Sequence, residues 1–299
     1  MSTTAPPKAT TRPTLRHRLQ KTLQPLILLF PAGLWLLLLL VIPTGLILEI
    51  SLVPGLRPED PIENYGLGNY LRILEPVYLQ VMMRSLYYAA GATVACLLMG
   101  FPVAYWIALM APKRWRTLLL VAFVLPLWTS SLLRAYAWIT ILRPSGVLNT
   151  ALGALGLPDQ AWLNDSPAVL IGLTYNYLPY MVLILYASLE KLDTRLLEAS
   201  ADLGATPRQT FFRVTVPQTL SGIVAGALLV FITSMGDFVV PELLGGASSM
   251  TIPRLIYNQF LGAARNWGFG SALSMVLILA VSLAIALLIR YGDRQTDYT

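Results

Sequence analysis

Six stretches of the chain are almost wholly apolar, at roughly 26–50, 81–110, 117–142, 167–189, 219–240 and 268–290, with polar, turn-rich segments between them. Their apolar residues run in blocks and do not follow the short amphipathic period of a helix on a soluble core. Each block therefore predicts a membrane helix, which takes about 20 such residues. Pro43, Pro102, Pro126, Pro179, Gly226 and Gly236 interrupt these blocks. Such breakers are tolerated where neighbouring helices re-satisfy the freed backbone groups, so they predict bent helices in a packed bundle. The pattern as a whole predicts an all-α polytopic membrane protein with six transmembrane helices. It has a basic tail over 1–25 and a single transmembrane domain over 26–299.

Composition agrees. Hydrophobic residues make up 56% of the 299 and charged residues 12%, about half the charged share of a soluble domain. The formal net charge of +6 does not form a stripe for nucleic acid. Its lysines and arginines flank the apolar blocks instead, and their distribution sets the orientation. Lys8, Arg12, Arg16, Arg18 and Lys21 precede the first block; Lys113, Arg114 and Arg116 follow the second. Lys191, Arg195, Arg208 and Arg213 follow the fourth, and Arg290 and Arg294 end the chain. The alternate connections carry only Arg57, Arg72, Arg84, Arg143, Arg254 and Arg265 over longer loops. Both termini and the segment 190–218 are thus expected in the cytoplasm.

The first block follows a basic tail, as a secretory signal would. Glu49, Ser51 and Pro54 stand where a small-residue cleavage site would be, which predicts an uncleaved first helix. One cysteine, Cys96, and one histidine, His17, leave no disulfide framework and no metal-ligand set. Nor is there a clustered nucleophile and base for a membrane-embedded enzyme.

The polar segment 190–218 is longer than a turn requires. Asp193 is placed to cap a helix whose apolar positions Leu196, Ala199 and Leu203 recur at helical spacing. Gly204 supplies a left-handed stop. Thr206, Pro207 and Gln209 form a capping-box start for a second helix ending before Pro217. Small residues keep this elbow slim, and Glu198 and Asp202 share one face at i, i+4. It can dock in a groove of another protein or fold onto its own bundle; the residues alone leave both open.

Glu198, Ala199, Ser200, Gly204, Val214, Val216 and Pro217 together resemble the signature loop of binding-protein-dependent ABC importer permeases. Ser200 stands for a usual alanine, and two valines for isoleucine and leucine. The resemblance implies the type I ABC importer permease fold in an inner membrane, with the loop docked on a cytoplasmic ABC ATPase dimer. Glu198, Ala199, Ser200, Asp202, Leu203, Gly204 and Ala205 are then its ATPase-coupling residues. It also implies a second permease subunit, in a heterodimer, and an external, periplasmic binding protein. This chain has no phosphate-binding loop of its own, so ATP and Mg are expected on the partner ATPase and no cofactor on this chain.

Two further tracts, 128–138 and 236–246, resemble the spermidine/putrescine branch, as does Asn149 after Gly146-Val147-Leu148. The basic tail matches the first of that branch's two permeases. The branch implies a polyamine cargo, with organic acids, opine-like compounds and metal ions as alternatives. A polycation favours carboxylates and aromatic faces, which makes Trp128, Arg134, Tyr136, Tyr175, Tyr177, Asp237 and Glu242 the candidate path. Arg134 would repel a cation unless neutralised, and Asp237 is the candidate partner. From another class, a secondary transporter working without an ATPase remains the rival.

Overall fold

The computed structural model describes residues 30–62 and 64–296. The expected tail, with His17 and its lysines and arginines, and the first residues of the first apolar block lie outside them. The chain divides into two units, residues 1–49 and 50–299. Among the described residues every regular element is helical.

Helix α1 spans Phe30–Ser51, with a wide π-helical turn over Leu37–Val41. After the short α2 (Gly68–Ile73) comes α3 (Pro76–Met110). Then follow α4 (Lys113–Trp128), α5 (Ser131–Leu142), α6 (Val147–Ala154) and α7 (Ser166–Leu189). The elbow comprises α8 (Thr194–Asp202) and α9 (Pro207–Gln218), leading into α10 (Leu220–Met235). Two short helices, α11 (Val239–Leu244) and α12 (Ile252–Phe260), precede α13 (Trp267–Thr296). By length and composition α1, α3, α7 and α13 can each cross a bilayer; two bent pairs bring the candidate spans to as many as six.

Those bends correct the expected boundaries. The stretch 117–142 is not one helix: α4 and the following segment Ser131–Ala154, which holds α5 and α6, meet at 93°. Pro126 lies in a tight terminal turn of α4, the Thr129 hydroxyl closes on the Pro126 carbonyl at 2.7 Å, and Thr129 and Ser130 are extended. The fifth helix stops at Met235 instead of 240, because Gly236 ends it and Asp237 turns to start α11. In the elbow the helix runs through Pro217 instead of ending before it. The Val216 N–H reaches the Phe211 carbonyl five residues back, and this widened turn absorbs a proline that has no N–H to give.

In the larger unit α3, α7 and α10 pack together. The buried face of α3 includes a run of small residues, Ser85, Ala89, Ala92, Cys96, Gly100 and Ala104, beside the larger Val81, Tyr88 and Phe101. Lipid offers no hydrophobic drive for helices to associate, so close backbone approach must supply the contact. The small residues allow it: the Cys96 thiol donates to the Thr174 carbonyl of α7 at 3.4 Å. Across the bundle, a Cβ on Gly222 of α10 would run into Ser188 of α7. Gly222→Val is therefore expected to force the two helices apart at a cost of about 1–3 kcal/mol, read as a lower Tm of the detergent-purified permease.

Polar ties hold the loops at one end of this bundle. The buried Tyr88 hydroxyl bonds Ser166 at 2.9 Å and Ser249 at 3.0 Å, and Ser85 accepts the Ile252 N–H at 2.8 Å. Asn149 gathers the loop after α6, donating to the carbonyls of Pro144 and Gln160 and accepting from the Trp162 indole.

Candidate functional site

The elbow is built from local caps. The Asp193 carboxylate accepts the Arg195 N–H at 3.0 Å and starts α8. At its other end Gly204 donates to Ala201 at 2.9 Å and Ala205 to Ser200 at 3.0 Å. This paired closure needs a left-handed residue, and Gly204 has φ +80°. Thr206 and Gln209 then exchange side-chain and backbone hydrogen bonds, at 2.8 and 3.4 Å, to open α9.

A clasp across the elbow was not legible as such. Ser200 is buried; its hydroxyl donates to the Leu197 carbonyl at 2.8 Å and lies 2.8 Å from the Thr210 hydroxyl of α9. The residue that departs from the usual alanine thus ties the two arms together. A second unforeseen residue is Phe211, which meets Phe101 and Tyr105 of α3 edge-on at 5.4 and 6.0 Å. An aromatic inside a polar insert was the available signal. Through Phe211 the elbow is joined directly to a helix of the bundle.

The apolar stripe of α8 is not folded onto that bundle. Leu196 is exposed, as are Glu198, Ala199, Asp202 and Gly204, and Leu203 at the tip is 90% exposed. Ala205 is half-buried. A cleft of about 450 Å³ lies in the elbow's angle, lined by residues including Leu203, Gln209 and Arg213. An exposed leucine flanked by two carboxylates can enter an apolar pocket with a basic rim.

The second candidate cluster forms where α7 meets the α10–α11 junction. Asp237 is half-buried. One of its oxygens accepts the N–H groups of Val239 and Val240 at 2.8 and 3.2 Å, and the other accepts the Tyr177 hydroxyl at 2.9 Å. Asp237 does not pair with Arg134. Nε and Nη1 of Arg134 are buried without a hydrogen-bond partner, although Arg134 lies within electrostatic reach of Tyr177. Glu242 pairs with Arg254, which also donates to the Gly246 carbonyl. Tyr175 stands edge-on to Trp138 at 5.5 Å, while Trp128 and Tyr136 are exposed, at 79% and 56%. The structure therefore unites Tyr177 and Asp237, and pairs Glu242 with Arg254.

Comparison with known proteins gives the chain's family and its fold. Residues 100–295 match the family model described as binding-protein-dependent transport system inner membrane component. A spermidine/putrescine transport system permease protein, PotB, of Haemophilus influenzae is 44% identical, over 84% of this chain and 88% of the relative. PotB of Escherichia coli K12 is 41% identical over 84% of this chain and 91% of the relative. Among solved structures, a chain of a bacterial ABC transporter that imports the acidic polysaccharide alginate superposes with a TM-score of 0.76. It is 19% identical, and the match covers 93% of this chain and 99% of that one. That likeness is one of fold.

Proposed function

The chain belongs to the binding-protein-dependent transport system inner membrane component family, and on that premise we propose that it passes a polyamine of the spermidine/putrescine class through the membrane. The observation that carries this reading is identity above 40% to two spermidine/putrescine permeases along most of their length. In this reading the chain is the permease subunit of an ATP-driven importer. An external binding protein delivers cargo, a second permease completes the channel, and a cytoplasmic ATPase dimer supplies closure. The elbow docks on that ATPase through Leu203, Glu198 and Asp202. Phe211 passes the movement to α3. The lysine and arginine distribution supports a cytoplasmic orientation for both ends of the sequence in this reading.

Asp237 gives the path its negative charge. Asp237→Asn keeps an oxygen for the Val239 and Val240 N–H groups, removes the charge, and replaces the oxygen that accepts the Tyr177 hydroxyl with an NH2 donor. Uptake of a dication is expected to fall about tenfold, since a charged hydrogen bond contributes about 1.5–3 kcal/mol, while the complex still assembles. Labelled-putrescine uptake beside gel filtration of the complex reads both. Loss of assembly would make Asp237 a structural cap alone.

One observation favours a second cargo class. The unpartnered donors of Arg134 suit a carboxylate. Uptake assays with putrescine, spermidine and small organic acids in the reconstituted complex decide between the two. Transport of acids and not amines would replace the polyamine reading.

A further inference from the structure

We propose that the basic cleft at the start of α9 holds the phosphate of an anionic phospholipid in the cytoplasmic leaflet, an inference that rests on the elbow facing a cytoplasmic ATPase as read above. A single cleft of about 230 Å³ is lined by Thr206, Arg208, Gln209, Phe212 and Arg213, with no carboxylate among them. Arg208 and Arg213 are exposed, and neither guanidinium has an ion-pair or hydrogen-bond partner among the described residues. The capping box adds a third donor. The Gln209 side-chain oxygen accepts the Thr206 N–H at 2.8 Å, which leaves its NH2 group to donate elsewhere. Two guanidinium forks and an amide match the oxygens of a phosphate.

The surroundings indicate where that phosphate comes from. Phe212 is 61% exposed, while Phe211 beside it packs on Phe101 and Tyr105 of α3. Those two residues precede Met110, where α3 ends, by about 8–13 Å of helix axis, and Lys113, Arg114 and Arg116 follow at once. The cleft therefore lies close to the end of a span, where headgroups meet acyl chains. Phe212 suits the apolar side of that boundary and the two arginines its phosphates. The cytoplasmic leaflet also carries the negative surface potential that attracts such residues. The ATPase fits this cleft less well. The elbow's tip presents Leu203 with Glu198 and Asp202, which suits a basic rim, and such a rim would repel Arg208 and Arg213. Gln209 and Arg213 also line the cleft in the elbow's angle, so a headgroup held here bears on the elbow itself.

The test titrates lipid-depleted complex in detergent with phosphatidylglycerol, phosphatidylcholine or inorganic phosphate, and reads bound lipid by native mass spectrometry. Wild type is compared with a double variant, Arg208→Gln with Arg213→Gln. Wild type is expected to prefer phosphatidylglycerol, and the double variant to bind it about thirtyfold more weakly, about fivefold for each arginine. Arg208→Lys with Arg213→Lys keeps both charges and is expected to recover part of that affinity. Without lipid, the Tm of the glutamine variant should equal that of wild type, since neither guanidinium has a partner to lose. Equal phosphatidylglycerol affinity in wild type and the glutamine variant overturns the proposal. Inorganic phosphate that displaces the lipid at equal concentration also overturns it, because the cleft would then take a free anion. So does weaker ATPase binding by the glutamine variant in phosphatidylcholine nanodiscs, which would assign the arginines to a protein interface. The titration reads the cleft whatever the cargo, so a wild type that takes up no putrescine would overturn the polyamine reading alone.

Discussion

Gly204→Val is expected to cut cargo uptake by at least about tenfold while the permease keeps its fold, because a left-handed non-glycine residue costs about 1–2 kcal/mol and a β-branched one more. The reason is conformational and not a clash. A Cβ at Gly204 would meet nothing within 4 Å, but φ is +80° there, and both closing hydrogen bonds of α8 depend on it. Valine would re-aim α8 against α9 and move Leu203 and Glu198 away from their docking position. A graded series is expected: Gly204→Asn mildest, since asparagine tolerates this region, then Gly204→Ala, then Gly204→Val. ATPase activity of the reconstituted complex should lose its stimulation by loaded binding protein in the same order. Full coupling in the valine variant would mean that the elbow's shape does not matter.

The second large effect is expected at the tip. Leu203 is 90% exposed, an unusual position for a leucine on a structured elbow. Burying such a side chain in a partner contributes about 1.5–3 kcal/mol. Leu203→Asp should therefore lower the affinity for the ATPase subunit by about ten- to a hundredfold. The permease's own Tm should not change, since Leu203 packs on nothing in this chain that its loss would expose. Binding of the ATPase to nanodisc-held permease reads the affinity. Unchanged binding would place the docking surface elsewhere.

What could be read in advance divides by the range of the interactions. The elbow's caps involve residues within a few positions of each other: Asp193 with Arg195, Thr206 with Gln209, Gly204 with Ala201. Spacing alone therefore exposed them. Candidate spans were legible because bilayer thickness and apolarity require little else. The break at Thr129 was not. A proline in an apolar block reads equally as a kink or an end, and the outcome turned on the Thr129 hydroxyl and the extended Ser130. Asp237 shows the limit most clearly. The carboxylate was visible, but its tie to Tyr177 crosses 60 positions, and its capping of α11 depended on the fifth helix ending early. Phe211 stayed hidden for the same reason, since its partners Phe101 and Tyr105 lie on a distant helix.

The central claim is that this chain moves a polyamine with energy received through the elbow at Gly204. Its most direct test is vectorial uptake of labelled putrescine and spermidine into proteoliposomes holding the permease pair and its ATPase, with ATP inside and binding protein outside. Accumulation is expected to require ATP and the binding protein and to be lost in Gly204→Val. Uptake that persists without the ATPase, driven by an ion gradient and indifferent to Gly204→Val, would contradict it.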